Sequence, residues 1–391
     1  MNFTTQEYFQ RLQNVKNKMS ESGLDILILS DPSNMNYLTG YDGWSFYVPQ
    51  GVIVSLDMDE PIWFGRKQDS NGARITTFLK EDNILGYPEH LIQSPPSHPY
   101  DYVANYIHEN KWANKNIGVE MDSYYYTAEN HDRLLKQCPN AKFKNGHLLV
   151  NWIRYIKSEA EIAYMKEGAK LVQAGMQTAY NEIKSGVKQS FVAGKIQETL
   201  LGGNEETQIG GEYAGLNMIL ASGKSASASH LTPTDKMFKN NEGTIIELGG
   251  VKHRYHCALS RTVYVGKPDH KIQETLKITN EGIEKAIEKT KPGNTCHDVA
   301  VAFWGVLEKY GVEKESRCGY SIGLGYPPDW GEHTLSIRKN EKTVLHPGVT
   351  FHLMAGMWMD TWGLELSESI RVTDDGCELF CNFSRDLHLV N

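Results

Sequence analysis

The stretch EGTIIELGGVKHRYHCALSRTVYVG, Glu242 to Gly266, decides how this chain is read. Thr244 to Leu248 is a β-branched apolar run that carries a carboxylate, Glu247, near its end. Gly249 and Gly250 are expected to break this strand, and a second strand is expected from Arg254 to Val265. Side chains alternate faces along a strand. His256, Ala258 and Ser260 therefore share one face, and Tyr255, Cys257 and Leu259 the other. Glu247 on the neighbouring strand can point into the same space as His256. A carboxylate and a histidine on paired strands are the raw material of acid–base chemistry. A solvated hairpin with a polar face is the plainer reading, but the long apolar run before Glu247 favours an active site.

Upstream of that hairpin, Ser158 followed by Glu161 forms a capping box. Ile162, Met165, Ala169, Val172 and Met176 then mark one helix face. A domain boundary is expected there, giving domains 1–156 and 157–391. The second half also predicts helices over 272–290 and 296–311, interleaved with strands over 218–221, 350–354 and 364–373. In the first half, Phe9, Leu12, Val15 and Met19 recur at helical spacing between Thr4 and Ser22. Strands are expected at 25–30, 51–56, 61–65 and 116–121, and Asp31-Pro32-Ser33-Asn34 reads as a turn. This mixture predicts an N-terminal α/β domain. Within it, the segment from Tyr37 to Tyr47 reads as an aromatic loop carrying Trp44 and Tyr47. Its rings either pack on their own domain or form a lid or dimer contact.

Composition excludes several classes. The 391 residues are 40% hydrophobic and 23% charged, as in ordinary globular chains of about two domains. A formal net charge of −8 argues against nucleic acid or an anionic membrane as partner. No apolar run is long enough for a membrane span, and the N-terminus does not resemble a signal peptide. The six cysteines are scattered without a CxxC pair, which fits a reducing cytoplasm and no zinc framework.

Further chemistry-bearing residues lie downstream. His230 sits in the small-residue loop SASASHLTPT. Lone histidines are more often structural, but a loop held by a scaffold is where sites are built. Cys318 to Glu332 is rich in glycine, proline and aromatics, and Tyr320, Tyr326 and Asp329 are candidates for a rigid pocket wall. His352 shares a strand face with Met354. Glu365, Ser367 and Ser369 alternate onto one face of the last long strand.

These motifs, in this order, resemble the pita-bread fold of the creatinase and methionine-aminopeptidase superfamily. The matching segments are Lys157-Ser158-Glu159, His230, Glu247-Leu248-Gly249-Gly250 with Ser260-Arg261-Thr262, Gly319-Tyr320-Ser321-Ile322-Gly323, His346-Pro347-Gly348 and the final glutamate strand. The resemblance covers the whole chain and implies an α/β (α+β) fold, with a creatinase-type N-terminal domain followed by a pita-bread catalytic domain. Metal-dependent members hold two divalent ions with two aspartates, a histidine and two glutamates. Those positions correspond here to Glu247, Ala258, Tyr320, Met354 and Ser367. Only Glu247 can ligate, so no metal and no cofactor is expected.

Within the superfamily, Asp42 to Val48, His253 to Cys257, Leu259 to Thr262 and Tyr326 to Glu332 are similar to the ectoine hydrolase family. That likeness implies a cytoplasmic homodimer that opens the cyclic amidine of ectoine, with hydroxyectoine as a further candidate, to an N-acetylated diaminobutyrate. His230, Glu247 and Glu365 are then the expected catalytic groups. Trp44, Tyr47, His256, Tyr320, Tyr326, Asp329 and His352 are the expected substrate-binding groups. The alternatives are a creatinase-like guanidino hydrolase, a metal-dependent Xaa-Pro aminopeptidase, or a binding module without catalysis.

Overall fold

The computed structural model describes residues 1–390 and separates into two compact units, Met1–Arg154 and Tyr155–Asn391. The first contains α1 (Thr5–Glu21), β1 (Ile26–Leu29), α2 (Pro32–Thr39), β2 (Gly51–Ser55), β3 (Ile62–Arg66), α3 (Ser70–Thr76), β4 (Ile84–Tyr87), α4 (Pro99–Glu109), β5 (Asn116–Val119), α5 (Ala128–Gln137), β6 (Lys142–Asn145) and α6 (Leu149–Ile153). Its six strands form one mixed sheet in the order β4-β3-β2-β1-β5-β6. The Thr4 side chain caps α1 by accepting the Glu7 N–H. The buried face of α1 is Tyr8, Leu12, Val15 and Met19, whereas Phe9, expected inside, is exposed.

The segment 31–34 is the start of α2, not a turn. Asp31 caps it by accepting the Ser33 N–H, and Pro32 occupies the first turn, where its missing N–H costs nothing. The aromatic segment therefore begins inside a helix, and the loop proper starts after Gly40, which ends α2 with φ 81°.

The second unit contains α7 (Glu159–Glu182), α8 (Gln189–Gly202), β7 (Ile219–Ser222), β8 (Glu242–Lys252), β9 (Tyr255–Val265), α9 (His270–Lys289), α10 (Cys296–Lys309), β10 (Gly319–Tyr326), β11 (Asp329–Ser336), β12 (Thr350–Trp358), β13 (Gly363–Val372), β14 (Cys377–Leu379) and β15 (His388–Val390). The sheet runs β14-β13-β12-β10-β9-β8-β7, with β11 paired to β10 and β15 to β9. The Ser158–Glu161 capping box opens α7. Val172 and Met176 of α7 pack with Leu248 of β8 and with Cys257 and Leu259 of β9. Phe303 and Leu307 of α10 pack with Phe351 and Leu353 of β12 and with Leu366 and Ile370 of β13. Alternation then leaves the opposite strand faces to the polar side chains.

Gly249 and Gly250 do not break the first strand. β8 runs through both to Lys252, paired residue by residue with β9. Their role is close packing. A Cβ on Gly250 would stand 2.0 Å from the Gly168 carbonyl oxygen of α7, and one on Gly249 would stand 2.6 Å from the Trp330 ring. The chain turns at His253 and Arg254, whose φ values of 49° and 68° give the doubly left-handed turn that suits strand twist. Glu212 holds this costly conformation by accepting the Arg254 N–H at 3.0 Å.

Candidate active site

Five strands bring the polar groups together. Glu247 on β8 lies opposite Ser260 on β9. Across β12 and β13, His352 pairs with Ser369, Met354 with Ser367, and Gly356 with Glu365. Tyr320 on β10 pairs with His352. Strands β9 and β13 are stitched together by side-chain hydroxyls. The Ser260 N–H donates to Ser367 Oγ at 2.7 Å, the Ala258 N–H to Ser369 Oγ at 3.0 Å, and Thr262 Oγ1 donates to the Glu365 carbonyl at 3.0 Å.

Arg261 locks these rungs from behind. All five of its N–H groups are used: one to the Ser384 carbonyl, one each to Ser260 and Ser367, one to Glu368 Oε1 at 2.8 Å, and one to Phe383. Both members of the Arg261–Glu368 pair are buried.

On the inner face, Trp330 Nε1 donates to the Tyr320 hydroxyl at 2.9 Å. His352 reaches that hydroxyl through Nδ1 at 3.1 Å and Ser367 Oγ through Nε2 at 2.6 Å. Glu247 Oε1 lies 3.8 Å from His352 Nδ1. Burial, aided by the Arg261 charge, depresses His352 to about 3, so its imidazole is neutral and this approach is not an ion pair. Neither oxygen of Glu365, nor the Ser260 hydroxyl, has a hydrogen-bond partner among the described residues.

Burial pushes Glu247 well above the usual carboxylate range, and the Glu365 and Asp329 charges push it further. Burial likewise lifts Glu365 to about 7, with the Ser260 hydroxyl, near it but outside hydrogen-bond geometry, and the Lys314 charge pulling it back. Two buried carboxylates that repel each other share a proton near neutral pH. Burial and the Glu247 charge keep Tyr320 protonated.

Not every expected site residue joins this cluster. His256 faces inward, but Nδ1 donates to the Arg254 carbonyl at 2.9 Å and Nε2 accepts the Gly215 N–H at 2.8 Å. With both nitrogens engaged it fastens the segment before Gly215 to the hairpin; the histidine beside Glu247 is His352. Tyr326 is buried, with the Arg254 guanidinium 5.4 Å from its ring centroid. Burial works to raise Asp329, but the His333 bond at 2.9 Å and the Gly331 N–H more than offset it, and its carboxyl lies below the ordinary value. His230 is exposed beyond the 3₁₀ turn Gly223–Ser227, and makes no hydrogen bond or ion pair among the described residues. Trp44 and Tyr47, in the first unit, are 64% and 69% exposed; the Tyr47 hydroxyl accepts from Arg66 at 3.1 Å. Arg261 and Lys314 were missed as candidates. An arginine inside the otherwise uncharged run Ala258 to Val265, between Ser260 and Thr262, was the available signal for Arg261; Lys314 sits in the charged run Glu313–Glu315, which gave none.

The arrangement does not suit a pair of divalent ions. Ala258 and Met354 offer no donor, and Ser367 Oγ is taken by the Ser260 N–H and His352. Among the described residues no group of three or more histidine, cysteine or acidic side chains is placed to hold a metal ion. No helix among them is long and apolar enough to cross a membrane.

Comparison with known proteins completes the picture. The profile of metallopeptidase family M24 matches residues 163–375, and that of the creatinase/prolidase N-terminal domain matches residues 11–156. The ectoine hydrolase of Halomonas elongata is 45% identical over 98% of both chains. An Xaa-Pro dipeptidase of Pyrococcus furiosus is 24% identical over 97% of this chain and 99% of its own. Among solved structures, a prolidase from Thermococcus sibiricus superposes with a TM-score of 0.84 at 18% identity, covering 98% of this chain and 99% of that one. At that identity the likeness concerns the fold.

Proposed function

Because the chain belongs to metallopeptidase family M24, with the creatinase/prolidase N-terminal domain, and is a hydrolase, we propose that it opens the cyclic amidine ring of ectoine without a metal ion. The observation that carries this reading is the buried carboxylate pair, Glu247 and Glu365, the latter with no partner on either oxygen. An amidinium is the complement of such a pair, since a flat cation with N–H donors meets two carboxylates in charge-assisted hydrogen bonds. The 45% identity to an ectoine hydrolase supports the same substrate.

Without ligand the shared proton sits on Glu247, the more strongly raised of the two carboxyls; a bound amidinium cation favours ionisation beside it, and the roles are assigned to the liganded pair. The ionised carboxylate, read as Glu247, takes a proton from water as its oxygen attacks the amidinium carbon. The protonated one, Glu365, gives its proton to the ring nitrogen as the C–N bond breaks. The products are an acetamide and an amine, the N-acetylated diaminobutyrate. Direct attack by Glu247 followed by hydrolysis of the resulting ester gives the same products. Tyr320, kept a neutral phenol by burial and the Glu247 charge and oriented by Trp330 and His352, supplies a hydroxyl beside the developing charge. Asp329 contributes negative charge that favours a cation.

His230 is proposed to relay a proton from the loop beyond the Gly223–Ser227 turn. General acid–base groups contribute about 10²–10⁴-fold. His230→Ala is expected to lose turnover of that order while its unfolding temperature stays put; near-normal turnover would refute the role. The exposed rings of Trp44 and Tyr47 suit the covering of a flat cation. We further propose a cytoplasmic homodimer, which light scattering of the purified protein checks. The activity itself is tested by incubating purified protein with ectoine and following loss of the ring by NMR. Appearance of the N-acetylated product supports the proposal, and no turnover on ectoine or hydroxyectoine overturns it. A metal-dependent Xaa-Pro dipeptidase is the rival, and activity on Xaa-Pro dipeptides restored by a divalent ion would favour it.

A further inference from the structure

Ectoine carries a carboxylate as well as an amidinium, and the core of the site offers an anion nothing. Glu247 and Glu365 are acidic, His352 is neutral, and Arg261 spends all five N–H groups on the protein. A cation does stand at one edge. Lys314, on the loop between α10 and β10, donates from Nζ to the Gly356 carbonyl at 2.6 Å and to Ser316 Oγ at 2.7 Å. The Trp304 indole N–H fixes its backbone by donating to the Lys314 carbonyl at 3.0 Å. An ammonium has three N–H donors. The third has no acceptor, and no carboxylate lies within ion-pair distance of Lys314 among the described residues.

Sheet register ties this ammonium to the catalytic pair. Gly356, whose carbonyl holds Lys314, is the direct β12 partner of Glu365 on β13. Residues directly opposite share a face. Trp358, two residues on, shares it as well, and its ring lies across Gly356, where a Cβ would stand 2.3 Å from it. Lys314, Ser316, Gly356 and Trp358, together with the exposed Glu313 and Glu315, line a cavity of about 360 Å³ on this edge of the strand. Trp358 also packs against the Ile219, Ala221, Ala226 and Ile245 cluster, next to the turn that leads to His230. The Lys314 charge is felt at Glu365. Glu313 and Glu315 flank Lys314 in sequence and are exposed, where solvent screens them. Arg317 is occupied elsewhere, 4.8 Å from the Tyr320 ring centroid and donating to Ser336.

We propose that Lys314, with Ser316 and the Trp358 wall, forms the subsite that receives the carboxylate of the zwitterionic substrate while its amidinium meets Glu247 and Glu365. The assignment rests on the ring-opening activity proposed above. It makes Lys314 a specificity-determining residue, one that separates cyclic amidino acids from cyclic amidines lacking a carboxylate.

The test compares ectoine with its neutral carboxamide on wild type, Lys314→Gln and Lys314→Arg. Wild type is expected to show a KM about ten- to a hundred-fold higher for the carboxamide, the range for losing one charge-assisted hydrogen bond. Lys314→Gln is expected to raise the KM for ectoine by a similar factor, with kcat changed by only a few-fold, and to erase the preference. Lys314→Arg is expected to restore part of it. Equal KM values for acid and carboxamide on wild type overturn the subsite without any variant having to fold. A Lys314→Gln protein with wild-type KM and preference overturns it too. A wild type that opens neither ring overturns the activity and the subsite together, which separates that failure from the others.

Discussion

Glu247→Gln is expected to abolish turnover of ectoine in a protein that still folds. Glutamine keeps the shape of the side chain but can neither take a proton from water nor attack carbon. Both routes to ring opening therefore close. Glu365→Gln removes one charge-assisted contact to the amidinium and is expected to weaken binding about ten- to a hundred-fold, with a smaller loss in kcat. Calorimetry with ectoine beside turnover rates separates the two; wild-type affinity in both variants would mean that these carboxylates do not hold the ring.

The same substitutions carry a stability signature with a definite sign. Burial raises both carboxyls, so the folded state holds protons that the unfolded chain releases. Below the ordinary carboxylate range both states are protonated and nothing is lost. As pH rises toward about 7, the raised value of Glu365, the wild type gives up stability. Without ligand, each glutamine variant should unfold at a higher temperature than wild type near pH 7, with the gap closing near pH 4. A variant less stable than wild type at pH 7 contradicts a buried, unpaired carboxylate.

Arg261→Ala is expected to cost about 3–5 kcal/mol of folding stability, the range for breaking a buried ion pair by removing one partner. The loss leaves Glu368, whose Oε2 already lacks a partner, with Arg385 at 3.8 Å in place of its close partner, and strands the carbonyls of Ser260, Ser367, Phe383 and Ser384. Lysine offers three donors in place of the planar five, so Arg261→Lys should recover only part of the stability. Denaturant unfolding measures both. A loss below about 1 kcal/mol for the alanine variant would mean the strands carrying Ser260 and Ser367 are held by something else.

Local signals carried much of this structure. The Ser158–Glu161 box opens its helix, the apolar face from Ile162 to Met176 is buried, and β8 and β9 carry the expected alternation. What local pattern could not supply was which distant elements meet. Two glycines in a strand read as its end, yet Gly250 is there because α7 crosses at that point. The actual turn at His253 and Arg254 lacks the Asn-Gly chemistry that usually marks it. Period-two alternation aimed both His256 and His352 inward. Which of them stands beside Glu247 depends on where β12 falls in the sheet, and that is set by contacts far apart in sequence. Lys314 reads locally as a solvated charge. Its burial against Gly356 exists only once β12 is in place.

The most direct test of the account is ring opening after exhaustive chelation. The purified protein is dialysed against a strong chelator, its residual metal is measured, and ectoine turnover is followed by NMR with and without added manganese, cobalt or zinc. The account predicts unchanged turnover in protein with far less than one metal per chain, because Ala258 and Met354 provide no ligand and Ser367 is committed to Ser260 and His352. Loss of activity on chelation, restored by a divalent ion, would contradict it.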